Sequence, residues 1–449
     1  MNPLRSFSTG KGAHKRQSHL PPISGATLQV QSARAQFPTY PFQPLPPPNG
    51  PAPFRFDLSH LLTADDVKRI TDAGVLVFHT VGDTGDYRGQ EQDFVAEMMT
   101  QDAQDLPDNN KAAFFYHLGD VIYFAGDIIK YSDNFYTTYK DYPGFIVSIP
   151  GNHDCQPDDP ADGPGDPNKT PLDGWVQNFM ATDPSQPGSG KTGTSRTQMD
   201  LPNVYWTFTT PFATIIGLFS NVGELEGEFH QDQIDWFQGE LTAADANRAL
   251  IVTVHHPPFS GDSEHTGSSV VDKMLSDSFA ATKRYPNLVL SGHVHNYQRF
   301  TNTVQGPKGQ LELAYIVAGA GGYQKLGKLQ QIQGAYPSVP LSVGNSLTLE
   351  QYDQDNFGFL RVEVSKTQIV GTYMSAPYVA GSTPSASEVE SFTVDLVNHT
   401  VVTGGGSGPG PNPPTKPPKP PTPKPPTPPK PPKPPKPPRK PHPKKRGGR

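Results

Sequence analysis

Five short apolar runs constrain this chain more than any other feature of it. They are "GVLVFHTVG" (74–82), "AAFFYHLG" (112–119), "GFIVSIPG" (144–151), "ALIVTVHH" (249–256) and "LVLSGHVH" (288–295). Each has the length and the apolar or β-branched content of a buried strand. Between them lie polar stretches of helical period: "DFVAEMMTQDA" (93–103), "HQDQIDWFQGELTAADANR" (230–248) with Ile234, Phe237 and Leu241 on one face, and "VVDKMLSDSFAATKRY" (270–285). "VYWTFTT" and "ATIIGLFS" flank Pro211 as a further pair of strands. "AYIVAGAGG" and a late hairpin, "GFLRVEV" with "QIVGTYM", complete the series. Alternating strands and helices predict an α/β domain with an antiparallel contribution near its end.

The residues at the carboxyl end of each run point to chemistry. The five runs continue into "GDTGD", "GDVIY", "GNHDC", "VHHPP" and "GHVHNYQR". A single Gly-Asp after a strand is ordinary turn chemistry. Five strand ends in series that carry Asp, Asn or His beside Gly or Pro are not five unrelated turns, because open α/β sheets bind ligands beyond the carboxyl ends of their strands. Asp83, Asp120, Tyr123, Asn152, His255, His293 and His295 together offer the oxygen and nitrogen donors that a pair of metal ions needs, including a carboxylate able to serve both ions. If "GHVH" is extended, His293 and His295 share one face and reach adjacent ions.

The series Asp83-x-Gly85, Gly119-Asp120-x-x-Tyr123, Gly151-Asn152-His153-Asp154, His255-x-Pro257 and Gly292-His293-x-His295 resembles the calcineurin-like metallophosphoesterases, and within them the purple acid phosphatase branch. Most of that superfamily begins with Asp-x-His, the histidine being a ligand. Here position 85 is glycine, and the tyrosine that replaces the lost donor in the purple branch stands at position 123. The resemblance implies a fold of two mixed β-sheets packed face to face and flanked by helices. It implies one ion held by Asp83, Asp120, Tyr123 and His295, with Fe(III) favoured by the phenolate. It implies a second ion, iron, zinc or manganese, held by Asp120, Asn152, His255 and His293. His153 then faces the substrate as a catalytic group. The implied activity is phosphate-ester hydrolysis by metal-activated hydroxide, foremost on monoesters. Phosphodiesters, nucleotides and phosphoproteins are alternatives on the same site. A degenerate, non-catalytic scaffold is the alternative of a different class; such a chain is expected to lose ligands, and here every position of the set is filled.

Further residues carry weaker signals. His265, in "GDSEHTG", falls where some purple-type enzymes carry a substrate-facing histidine, and is a second catalytic candidate beside a plain loop reading. His256 is expected to support or pack, and His79 and His117 to be satisfied core histidines. Arg299 is expected in a surface salt bridge. "GAGG" (319–322) reads as a turn near the metals, because no Lys-Ser/Thr comes after it to cradle a phosphate.

Charge divides the chain into three parts. Residues 1–56 hold 6 Lys/Arg and residues 404–449 hold 12, neither with an acid, which leaves 19 Lys/Arg against all 43 Asp/Glu in 57–403. The first segment is expected to be a largely disordered, proline-containing arm with a short strand at "ATLQVQ". The second, built on "KPPKPPKPP", is an extended tail suited to anionic surfaces or a polyproline-binding partner. The catalytic domain is expected over 57–403, with 156–200 a long Gly/Pro/Asp-rich loop insertion, a lid in prospect. No specific nucleic-acid binding is predicted. The single cysteine, Cys155, excludes an internal disulfide. No apolar run reaches transmembrane length and no signal sequence is legible, so a cytoplasmic location is expected, with secretion by another route as the alternative.

Overall fold

The structure is a computed structural model that describes residues 28–31, 45–85, 90–155, 172–183, 196–220, 229–377 and 385–404. All of these fall in one compact unit, Met1–Gly406; the other unit, Ser407–Arg449, lies outside the described residues, as do the greater part of the N-terminal arm and the stretches 156–171 and 184–195 of the insertion.

The strands in chain order are β1 (Arg55–Asp57), β2 (Leu76–Val81), β3 (Ala112–His117), β4 (Phe145–Ser148), β5 (Trp206–Thr209), β6 (Ala213–Leu218), β7 (Ala249–Val254) and β8 (Leu288–Ser291). They continue as β9 (Tyr297–Gly306), β10 (Gly309–Ala318), β11 (Leu341–Ser342), β12 (Leu347–Asp353), β13 (Phe357–Val364), β14 (Gln368–Ala376), β15 (Ser387–Asp395) and β16 (Thr400–Thr403). The helices are α1 (Ala64–Ala73), α2 (Glu91–Asp105), α3 (Asp173–Phe179), α4 (Gln231–Ala243) and α5 (Ser269–Thr282).

Two mixed sheets result, as the resemblance implied. One has the order β1-β5-β6-β7-β8-β10-β9-β12-β11, the other β16-β15-β14-β13-β2-β3-β4. Strand alternation sorts the side chains. On β2, Phe78 faces the opposite sheet and stacks on Phe114 of β3 at 4.9 Å, which in turn meets Phe208 of β5 at 5.1 Å. The next residue, His79, faces outward, where Asp102 of α2 lies 2.9 Å from its Nε2. A second apolar cluster fills the far side of the nine-stranded sheet: Phe237 and Leu241 of α4, and Val271, Leu275 and Phe279 of α5, pack on Ile216, Val252 and Val289. The predicted helical face of 230–248 is therefore the one that is buried.

Away from the strand-end loops, the structure departs from expectation at three places. Residues 45–57 are part of the body: β1 pairs with β5 in parallel, Phe56 stacks on Phe208 at 4.6 Å, and Arg55 holds Glu240 with two bonds of 2.7 Å. The insertion contributes a helix, α3, whose Trp175 and Phe179 enter the core between the sheet edge and Tyr131. Arg299 is not at the surface. It is fully buried on β9 and binds Glu390 of β15 in the other sheet, with Nε and Nη2 at 2.9–3.2 Å from the carboxylate. The two sheets approach closely here, as the Tyr297–Tyr373 stack at 3.8 Å shows, and both partners of the ion pair are buried.

Candidate metal centre

The loops after β2, β3 and β4 of one sheet and after β7 and β8 of the other meet at a single end of the sandwich. Backbone bonds stitch them together: Asp83 N–H donates to Gly119 O at 3.0 Å, Thr84 N–H to Asp120 O at 3.2 Å, and Gly292 N–H to His255 O at 3.0 Å. Asp83, Asp120 and His293 sit at φ of +59°, +55° and +68°, in the left-handed region. Three non-glycine residues so placed store about 1–3 kcal/mol each, a cost the surrounding structure holds in place.

The side chains that the sequence singled out form two sets of donors. Tyr123 Oη lies 2.8 Å from Asp120 Oδ2, 3.0 Å from Asp83 Oδ1 and 3.2 Å from His295 Nε2. In the second set, Asn152 Oδ1 is 3.0 Å from both His255 Nε2 and His293 Nδ1, and His255 Nε2 is 3.3 Å from Asp120 Oδ2. Asp120 belongs to both. Ligand atoms of Asp120, His255 and His293 all fall within 4.8 Å of one another. His255 Nδ1 faces the Leu118 carbonyl at 2.8 Å, so that nitrogen carries the proton and Nε2 is turned toward the cluster.

The donor set suits metal ions. Asp83 and Asp120 are buried carboxylates whose partners are Tyr123, histidines and backbone N–H groups. Burial alone would raise the Asp120 carboxyl, but the charges of His255 and His153 hold it far below the ordinary range; reciprocally, against burial, Asp120 lifts His255 to about 9. Burial and then the charges of Asp120 and Asp83 push the Tyr123 phenol well above its ordinary value. Buried anions and lone pairs arranged in this way suit a cation.

Two glycines of the motifs are there for space. A Cβ at Gly151 would lie 2.1 Å from Asp120 Oδ1. One at Gly85 would lie 2.3 Å from the Val121 carbonyl, so position 85 has no room for the usual histidine, and Tyr123 reaches Asp83 in its stead.

One detail of the predicted site is wrong. His293-Val294-His295 is not extended. Two successive i→i+2 bonds, Val294 N–H to Gly292 O at 2.8 Å and Asn296 N–H to Val294 O at 2.7 Å, fold it into tight turns, with His293 at positive φ. The two rings reach neighbouring donor sets by that bend rather than by strand alternation. The remaining histidines divide between the site and the core. His153 Nδ1 donates to the Phe124 carbonyl at 2.7 Å, and its ring lies 4.3 Å from that of Tyr123. His265 comes to the site, with ring distances of 5.0 Å to His293 and 5.8 Å to His295. His256 packs on His293 at 4.4 Å and meets Ser220 Oγ at 2.8 Å. His79 and His117 are core histidines, and burial pushes His117 down to about 3, so it is neutral beside Thr84.

Three further residues support the centre. Asp154 accepts N–H bonds from Gly151 at 2.9 Å and Val121 at 3.0 Å and so ties the Asn152 loop to the Asp120 loop; burial and the Asp120 charge push it up to about 7. Its place in "GNHD" was the available signal. Tyr323, directly after "GAGG", stacks on Tyr123 at 3.7 Å, and its N–H binds Asp83 O, which makes that turn a part of the site. Asp262 accepts from the N–H groups of Glu264 and His265 at 2.7 and 2.9 Å and from Asn296 Nδ2 at 3.1 Å.

Two mixed sheets with this array of strand-end donors are consistent with a metallophosphoesterase fold. Over residues 76–297 the chain matches the family model of the calcineurin-like phosphoesterases. Purple acid phosphatase 21 of Arabidopsis thaliana is 35% identical over 101 residues, a stretch that spans 21% of this chain and 22% of that relative. Among solved structures, PhoD superposes with a TM-score of 0.49 at 13% identity, covering 74% of this chain and 71% of its own. A dimetal phosphatase from Danio rerio gives 0.42 at 11% identity, covering 72% and 99%. Likenesses of this order are outline ones. The family implies a metal cofactor, and no helix among the described residues is long and apolar enough to cross a membrane.

Proposed function

We propose that the chain is a dinuclear-metal phosphoesterase of the purple acid phosphatase type, acting on phosphate monoesters. What supports this reading is that Asp120 Oδ2 lies within 2.8 Å of Tyr123 Oη and 3.3 Å of His255 Nε2, between two groups of buried donors. Asp83, Asp120, Tyr123 and His295 would hold one ion, Fe(III), and Asp120, Asn152, His255 and His293 the other, iron, zinc or manganese. Bound ions would supply positive charge to a transferring phosphoryl group and a lowered pKa to a water. The chain's own part is to orient the substrate and move protons. His153 spends Nδ1–H on the Phe124 carbonyl, which fixes its ring and leaves Nε2 to meet the phosphate or the leaving oxygen. His265, beside His293 and His295, is read as the second substrate-facing group. Metal analysis with a panel of monoesters, diesters, nucleotides and phosphoproteins tests the reading. Turnover of a monoester with about two metals per chain is expected; metal-free protein that still turns over, or full metal with no turnover of any ester, would overturn it.

Colour gives a separate check on Tyr123. Its phenol is held protonated by burial and by two carboxylates, so only a strongly charged cation would remove that proton. Oxidised, iron-loaded protein is therefore expected to show a broad visible absorption from phenolate-to-iron charge transfer. Tyr123→Phe should remove the band while leaving the melting temperature nearly unchanged. Cys155→Ser, whose thiol meets the Gly151 carbonyl, serves as control for the chain's one thiol. Colourless protein with iron bound and oxidised would take Tyr123 out of the ligand set.

A further inference from the structure

The loop that carries His265 is built on a segment far away in sequence. Val30 O accepts the N–H groups of both Ser260 and Gly267, at 3.0 and 3.2 Å, so one carbonyl closes the two ends of the loop. Gln31 Nε2 donates to Pro258 O and to Asp272 Oδ2, the latter at 2.8 Å. Leu28 is 2% exposed and packs in the cluster of Phe259; a Cβ at Gly261 would come within 2.8 Å of its Cδ2. Gln330 Nε2 donates to the backbone carbonyls of Gln29 and Asp262, at 2.9 and 3.0 Å, and so links this strap to the residue whose carboxylate accepts the His265 N–H. The strap precedes the family match, which starts at residue 76.

We infer that Leu28–Gln31 is a positioning element for the substrate-facing loop: it holds Ser260–Gly267 in the one shape that sets the His265 ring against His293 and His295. The inference rests on the reading of His265 as a group that meets the substrate. The physical basis is pre-organisation. A loop of this length without its closing bonds samples many conformations, and a displacement of about 1 Å in a positioned group is enough to cost on the order of 10²-fold in rate. Among the described residues, none of these bonds of the strap is to a donor of either set, so metal binding should not depend on it.

The test uses the metal-loaded full chain, four variants of it and a chain lacking residues 1–31, with an aryl phosphate as probe. Leu28→Ala is expected to lower kcat/KM by fivefold or more with metal content unchanged, and Leu28→Met, which refills the space, to restore it to within twofold. In a His265→Ala background, Leu28→Ala should add no further loss, since the ring it positions is gone. Hydrogen exchange is read in parallel: the amides of Ser260 and Gly267 should lose protection in the chain lacking 1–31, while those of β7 and β8 keep theirs. An equal loss from Leu28→Ala in both backgrounds, or unchanged protection at Ser260 and Gly267, overturns the inference. His265→Ala with wild-type turnover instead overturns the reading of His265, and the strap's hold on the loop is then decided by the exchange data alone.

Discussion

Asp120→Asn should all but abolish phosphoester hydrolysis and strip the centre of much of its metal. Asn keeps the shape of the side chain, so the fold has little reason to change. It cannot keep the chemistry. Asp120 Oδ2 faces both Tyr123 Oη, at 2.8 Å, and His255 Nε2, at 3.3 Å, while Oδ1 accepts the His153 N–H at 2.9 Å. An amide has one acceptor oxygen for these demands and no negative charge, and its NH₂ group would face a tyrosine hydroxyl or an imidazole that the carboxylate now satisfies. Loss of a pre-organised electrostatic group at a reacting centre typically costs about 10²–10³-fold in kcat; if Asp120 serves two ions as proposed, its loss should cost at least that, because both would be loosened. Elemental analysis of dialysed protein, alongside kcat, is the measurement. Asp120→Asn protein with wild-type turnover and a full metal complement would refute the assignment of the site.

Glu390→Ala should destabilise the body by about 3–5 kcal/mol, the usual cost of leaving one partner of a buried ion pair uncompensated. The Arg299 guanidinium is fully buried. It has Glu390 at 2.9–3.2 Å, Thr403 Oγ1 at 2.8 Å and the Phe392 ring 5.1 Å beneath it. Tyr297 Oη also donates to Glu390, at 2.6 Å. Removing the carboxylate orphans two buried donors at the junction of the sheets. Denaturant unfolding should show a lower midpoint with a similar slope. The paired replacement Arg299→Met with Glu390→Leu should recover most of the loss, since no charge is left to desolvate. A midpoint for Glu390→Ala equal to that of the wild type would mean that water reaches Arg299 and that the pair does not tie the sheets.

These two residues mark the line between what can be read from sequence and what cannot. Asp120 was legible because its signal is local: an apolar run, a glycine and a donor residue are consecutive, and the same local pattern recurs at Asp83, Asn152, His255 and His293. The glycine at position 85 and the tyrosine at position 123 are likewise legible, each within its own short motif. Strand and helix periods placed β2, β3, β4, β7, β8, α2, α4 and α5 for the same reason. The Arg299–Glu390 pair joins strands 91 residues apart, and no local period announces it. Arg299 in isolation looks like any surface arginine; only the packing of one sheet on the other removes it from water. The bend at His293, the clamp of Asp154 on the Asp120 loop and the stack of Tyr323 on Tyr123 also depend on neighbours that folding supplies. The strap at Leu28–Gln31 is the extreme case, meeting partners more than 200 residues away. The identity of the donors is thus a property of the sequence itself, because chemistry resides in residue types at strand ends. Their convergence, their burial and the shape of the loops around them are tertiary properties, because they arise from contacts whose partners are set by the packing of the two sheets.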